Sequence, residues 1–273
     1  MRHRILGGVL AIALGAAAII PTSAASLRDL AYGSDPRQRY DVHLPAGAAP
    51  GAPVIFMVHG GGWRTGGKAE KAVVQNKVPY FTGRGYVFVS IDYRMLPDAD
   101  PLQQARDVAL ALAAAQGQAA AWGADPRRFV LMGHSAGAHL VALLAADPAL
   151  AQGSRWLGTV ALDSGALDVP DIMAQRHLPL YDSAFGQDPA YWRQVSPLHV
   201  LKPGAQPLLL VCSSQRERAC RQAHDFARRA RAGGTRAEVL EEAKSHRDIN
   251  LQLGADPAYT AAVQAFLGSL GLP

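Results

Sequence analysis

From Tyr40 onward, short runs of apolar, β-branched and aromatic residues alternate with longer stretches whose apolar positions recur at helical spacing. The short runs predict strands at Arg39–Leu44, Val54–Val58, Val87–Tyr93, Phe129–Gly133, Leu157–Leu162, Leu208–Cys212 and Ala237–Leu240. Helices are predicted between them: the Ala-rich Pro101–Trp122, Ala136–Ala146 directly after a strand, Arg218–Ala232 ending at Gly233-Gly234, and a closing helix over Gln252–Leu270. Strand and helix alternating in this way predict the α/β class, a mostly parallel central sheet with helices on both faces. The stretch from Gly165 to Gly204 has no clear periodicity and reads as a short insertion over the sheet, and no internal repeat or long linker interrupts the chain.

Composition narrows the picture. A chain of 273 residues with 49% hydrophobic and 18% charged residues has enough apolar material for one large domain, and it is neither disordered, collagen-like nor a multi-span membrane protein. The first residues are basic (Met1-Arg2-His3-Arg4), the run Ile5–Ile20 is apolar, and Pro21–Ala25 supplies small residues at cleavage spacing. That pattern predicts a signal peptide over residues 1–24, a single domain over 25–273, and a secreted or periplasmic location. The competing reading is a membrane anchor, for which the sixteen apolar residues with three glycines are short of the span of about 20, so no stable membrane span is expected after processing. Without Arg2 and Arg4 the net charge of +5 falls to 25 basic against 22 acidic residues, or +3. The basic cluster Arg216–Arg236 reads as the solvated face of a helix, and no nucleic-acid partner is expected. In an oxidising compartment Cys212 and Cys220 are the two thiols that one disulfide needs; two buried free thiols are the alternative.

Gly133-His134-Ser135-Ala136-Gly137 fits G-x-S-x-G between a strand and a helix, the context in which a strained turn projects a serine Oγ away from the backbone. A serine there is otherwise simply a helix cap. His59-Gly60-Gly61-Gly62-Trp63 follows the strand Val54–Val58, where a glycine run can aim backbone N–H groups at a ligand. Gly61, Gly62 and Ala136, the residue after the serine, are the expected oxyanion donors, while His59 shapes the loop.

With these motifs the chain resembles the α/β-hydrolase superfamily, in particular small HGGG-W carboxylesterases of feruloyl-esterase-like and arylformamidase-like type. Further matching segments are Gly85–Arg94, Gly123–Leu140, Ser196-Pro197 and Ser245–Gly254. The resemblance implies an α/β-hydrolase fold whose triad runs nucleophile, acid, histidine, so that Ser135 is the nucleophile and His246, after the last strand, the base. His134, turned away beside the elbow, His139 and His224 are weaker candidates. Relatives place Asp after the strand matching Leu208–Cys212, but here Glu217 is the only carboxylate of that loop and is taken as the acid; Asp163 and Asp168 at the neighbouring strand end are the fallback. A Cys212–Cys220 bond would brace the loop carrying Glu217.

Trp63 and Trp192, with Tyr181, Phe185 and Tyr191, are expected to form apolar and aromatic pocket walls. The expected function is hydrolysis of small, soluble carboxylic esters through an acyl-enzyme on Ser135. A small-molecule ester is the expected partner, with the oligomeric state left open, no metal or other cofactor is expected, and no N-terminal helical cap is expected over the site. The alternatives are an arylformamidase-like amidase and a non-catalytic binding protein on the same fold.

Overall fold

A computed structural model describes residues 25–47 and 50–273, so the expected signal peptide lies outside the described residues. Eight strands form one sheet: β1 (Ser26–Ala31), β2 (Arg39–His43), β3 (Ala52–Val58), β4 (Val87–Ile91), β5 (Ala124–His134), β6 (Gly158–Leu162), β7 (Leu208–Ser213) and β8 (Ala237–Glu242). Their order is β1-β2-β4-β3-β5-β6-β7-β8. The pairs β1/β2 and β2/β4 are antiparallel, and from β4 to β8 every pair is parallel. All seven residues of β3 are buried because the strand is sandwiched: Val54, Phe56 and Val58 enter one core layer, Ile55 and Met57 the other. The first layer packs against helices Pro101–Gln118, Ala136–Ala146 and Glu217–Ala232, the second against residues of Lys77–Thr82, His246–Leu251 and Pro257–Gly268.

The seven predicted strands are present, and β1 is additional. It was not readable as a strand because five of its six residues are exposed on the sheet edge, so no apolar alternation marks it. The closing helix predicted over Gln252–Leu270 spans Pro257–Gly268, capped by Asp256, and a short helix that was not predicted, His246–Leu251, precedes it under the cap of Ser245. The segment 165–204 carries four short helices, Val169–Met173, Pro179–Phe185, Pro189–Gln194 and Pro197–Val200, each with proline in its first turn. Proline starts each one, but none is long enough to show a helical period.

Cys212 at the end of β7 is disulfide-bonded to Cys220 in the helix Glu217–Ala232, with their Cα atoms 5.2 Å apart. On the opposite face Lys77 is fully buried and donates to the carbonyl oxygens of Ala72 and Asn250 and, at 2.8 Å, to Asn250 Oδ1. One ammonium thus fastens the helix that begins at His246 to the helix pair 71–82. Lys77→Met leaves these acceptors buried and unpaired, and is expected to lower the free energy of unfolding by about 2–4 kcal/mol. Urea titration of the two proteins measures this, and a change below about 0.5 kcal/mol would show that the bridge is inert.

Candidate active site

The parallel strands deliver their following residues to one edge of the sheet. In the β5/β6 register His134 lies opposite Leu162, so Ser135 and Asp163 are the next residues of neighbouring strands. Ser135 N donates to Leu162 O at 3.0 Å, and Asp163 N to Val211 O of β7 at 2.7 Å. Ser135 sits at φ 55°, ψ −118°, a strained conformation for a residue with a side chain, and Asp163 and Trp63 also have positive φ, 55° and 60°. The turn at Ser135 closes because Gly137 lies against the backbone of Val58 and His59, where a Cβ would overlap their carbonyl oxygens.

The glycine run lies against this elbow. A Cβ on Gly60 would come 3.0 Å from Ser135 Cβ and 2.9 Å from His134 O. Gly61 O accepts from the N–H groups of Arg64 and Thr65, turning the loop back on itself, while Gly61 and Gly62 themselves donate to no backbone carbonyl among the described residues. Ala136 is the first helical residue, so its N–H also lacks an intrahelical partner. His59 supports the loop from below: it is fully buried, stacks on Tyr93 at 4.4 Å, and its Nδ1 is 2.6 Å from Gly60 O.

His246 Nδ1 donates to Asp163 Oδ2 at 2.6 Å, which leaves Nε2 as the basic nitrogen. Asp163 Oδ1 accepts from Ser213 N at 3.0 Å. Arg216 Nη1 donates to Asp163 Oδ2 at 2.6 Å and stands 2.9 Å from His246 Nδ1, so a guanidinium and an imidazole share one carboxylate oxygen. Burial by itself would raise the Asp163 carboxyl, but the His246 hydrogen bond, the Arg216 charge and the Ser213 amide outweigh it and hold the group at about 2.

The acid that meets His246 is therefore Asp163 and not Glu217. Arg216 N bonds back to Ser213 O, and this turn directs Arg216 inward to the pair. Glu217 opens the following helix with its side chain exposed. Asp168 is elsewhere, capping Val169–Met173 and pairing with His199 at 3.1 Å. His134 is not turned away from the site: its ring lies 4.5 Å from the His246 ring, and its Nε2 donates to His246 O at 2.9 Å. Burial first, then the neighbouring imidazole, pushes the His134 ring down to about 3, so it stays neutral and serves as a donor.

Trp63 is a buried strut rather than a pocket wall, donating to His139 Nδ1 at 3.2 Å and packing against Phe185 and Tyr181. Trp192 donates to Phe185 O at 3.1 Å and Gly186 O at 3.2 Å, which ties two helices of the insertion together. His139 is buried, held down to about 4 by desolvation, and fixed by Val195 O at 2.7 Å. Among the described residues, no group of His, Cys, Asp and Glu is placed to hold a metal ion, and no helix is long and apolar enough to cross a membrane.

Residues 40–159 match the BD-FAE family model. A probable isoprenylcysteine alpha-carbonyl methylesterase ICME of Oryza sativa subsp. japonica is 34% identical over 116 residues, 42% of this chain and 27% of that protein. Esterase LipQ of Mycobacterium tuberculosis is 28% identical over 265 residues, 90% of this chain and 62% of its own. Esterase B of Lactobacillus Rhamnosis superposes with a TM-score of 0.74 at 18% identity, covering 92% of this chain and 86% of that one. The chain therefore shares the fold of these esterase structures and, over residues 40–159, is similar to the BD-FAE family. It spans about a quarter of the length of the plant relatives and under two thirds of LipQ. The matched region 40–159 contains Ser135 and the loop His59–Trp63, while Asp163 and His246 lie beyond it.

The Asp163 carboxyl is held below its ordinary 3.8, so it contributes stability that is complete above about pH 4 and disappears as the pH falls toward 2. The expected contribution is about 2 kcal/mol. Urea unfolding at pH 5 and pH 2.5 should show this acid-side loss, and Asp163→Asn should lack that share of it. An identical loss in both proteins would disconnect Asp163 from the acid limb.

Proposed function

We propose that the chain hydrolyses carboxylic esters through an acyl-enzyme on Ser135. The observation that carries this reading is the 2.6 Å hydrogen bond from His246 Nδ1 to buried Asp163, placed beside a serine in a strained strand-to-helix turn. Relatives bearing the names methylesterase and esterase support the ester class. In the proposed sequence His246 Nε2 takes the Ser135 hydroxyl proton as Oγ attacks the ester carbonyl. The N–H groups of Gly61, Gly62 and Ala136 receive the developing oxyanion. The imidazolium then gives its proton to the departing alkoxide, and water, deprotonated by His246, releases the acid. Asp163 stabilises the imidazolium and keeps Nδ1 as the protonated nitrogen.

Small, soluble esters are the proposed substrates, because the glycine loop is open at Gly62, where the nearest atom that a Cβ would meet is Leu180 Cδ1 of the insertion at 4.0 Å. An exported location is part of the same proposal, supported by the basic and apolar start of the sequence and by the Cys212–Cys220 bond.

Ser135→Ala should abolish hydrolysis of 4-nitrophenyl acetate, and a fluorophosphonate probe should label the parent protein but not the variant. Asp163→Asn should lower kcat by about 10³–10⁴, whereas Glu217→Gln should retain kcat within about threefold. Loss of turnover in Glu217→Gln with retention in Asp163→Asn would overturn the assignment of the acid, and full turnover by Ser135→Ala would overturn the mechanism.

A further inference from the structure

A cavity of about 440 Å³ opens beside the Asp163–His246 pair, between the insertion and the start of the helix Glu217–Ala232. Its polar wall carries Arg176, Arg216 and Arg218 against a single carboxylate, Glu217, and its apolar wall includes Leu178 and Tyr181. Arg216 connects it to the reacting groups, since its Nη1 touches both Asp163 and His246. Tyr181 connects it to the glycine loop through Trp63, 5.9 Å away ring to ring. The absence of a side chain at Gly165 lets both approach: a Cβ there would lie 2.9 Å from Tyr181 Oη and 3.0 Å from Arg216 Nη2.

The charge of this cavity is not neutralised from within. Arg216 offsets Asp163, but Arg218 reaches only the carbonyl of Arg176, at 3.4 Å, and among the described residues neither Arg176 nor Arg218 has an ion-pair partner. The sixteen-residue helix Glu217–Ala232 also begins here with no side-chain cap, and its first residues, Glu217, Arg218 and Ala219, line the cavity, so the positive end of its dipole lies at the cavity wall. The disulfide to Cys212 holds that first turn to the end of β7.

We infer that this cavity binds an anionic group of the ester substrate, a carboxylate or a phosphate carried on an apolar or aromatic body, with Arg176 and Arg218 as its specificity residues. Guanidinium groups give such an anion paired N–H donors, and Leu178 and Tyr181 cover its carbon frame. The inference rests on the esterase reading and names the substrate class for that site. Glu217 opposes the anion and tunes the preference.

The experiment compares kcat/KM for matched esters at fixed ionic strength. On the alcohol side these are 4-acetoxybenzoate, 4-acetoxyphenyl phosphate and neutral 4-acetoxybenzamide; on the acyl side, monomethyl adipate and dimethyl adipate. An anionic ester should be preferred at least about tenfold on one side, the worth of one charge-assisted contact, and the two alcohol-side anions separate carboxylate from phosphate. Arg218→Gln and Arg176→Gln should each cut the anionic-to-neutral ratio several-fold, Glu217→Gln should raise it, and added salt should lower it. No preference on either side, or a ratio unmoved by both arginine variants, overturns the inference while hydrolysis of the neutral esters leaves the esterase reading standing. Failure to hydrolyse any ester overturns the esterase reading itself.

Discussion

Asp163 carries a full charge with none of its side chain exposed, and the region around it is organised to keep that charge satisfied. A buried carboxylate without partners would be driven to its neutral form. Three donors from different parts of the chain prevent this: His246 from the first turn of the helix after β8, Ser213 N from the end of β7, and Arg216 from the start of the helix Glu217–Ala232. Each partner brings its own segment with it. The positive φ of Asp163 is the local strain that turns the carboxylate from the end of β6 toward those segments.

The sheet supplies the other half of the arrangement. Parallel strands β3, β5, β6 and β7 end at one edge, so the glycine loop, Ser135, Asp163 and Ser213 arrive as neighbours without long excursions of backbone. Close approach is possible only where side chains are missing. Gly137 packs on the β3 carbonyls and Gly60 on the elbow itself, so both interfaces are formed by backbone. Behind them stand buried polar groups that bear on the chemistry indirectly. His134 and Lys77 hold the main chain of the His246–Leu251 helix, one by the carbonyl of His246 and the other by Asn250. Both act through hydrogen bonds that burial makes expensive to leave unmade.

Arg216 gives the site an unusual electrostatic balance. Arg216 Nη1 stands 2.9 Å from His246 Nδ1, and both side chains meet the same carboxylate. Because Arg216 and His246 share Asp163 Oδ2, anything that draws the guanidinium toward the neighbouring cavity changes how much of the carboxylate charge is left for the histidine. The cavity wall and the Asp163–His246 pair therefore meet at one oxygen atom.

Apolar alternation and glycine placement in the sequence were enough for the α/β class, seven of the eight strands, the elbow at Ser135 and the facing loop His59–Trp63, because each depends on local spacing or on a strand end, while His246 was picked out by the resemblance in triad order. The cysteine pair was legible for the same reason, its partners being eight residues apart. Strand β1 and the short helices of the insertion were not, since one is exposed along its length and the others end before a period develops. The identity of the acid belonged to the tertiary structure alone. Glu217 and Asp163 both follow strands in the sequence, and only the turn at Ser213–Arg216 decides that Arg216 enters the site while Glu217 opens a helix to solvent. Eighty-three residues separate Asp163 from His246, and no local pattern encodes a hydrogen bond across that distance; the packing of β6 between β5 and β7 creates it.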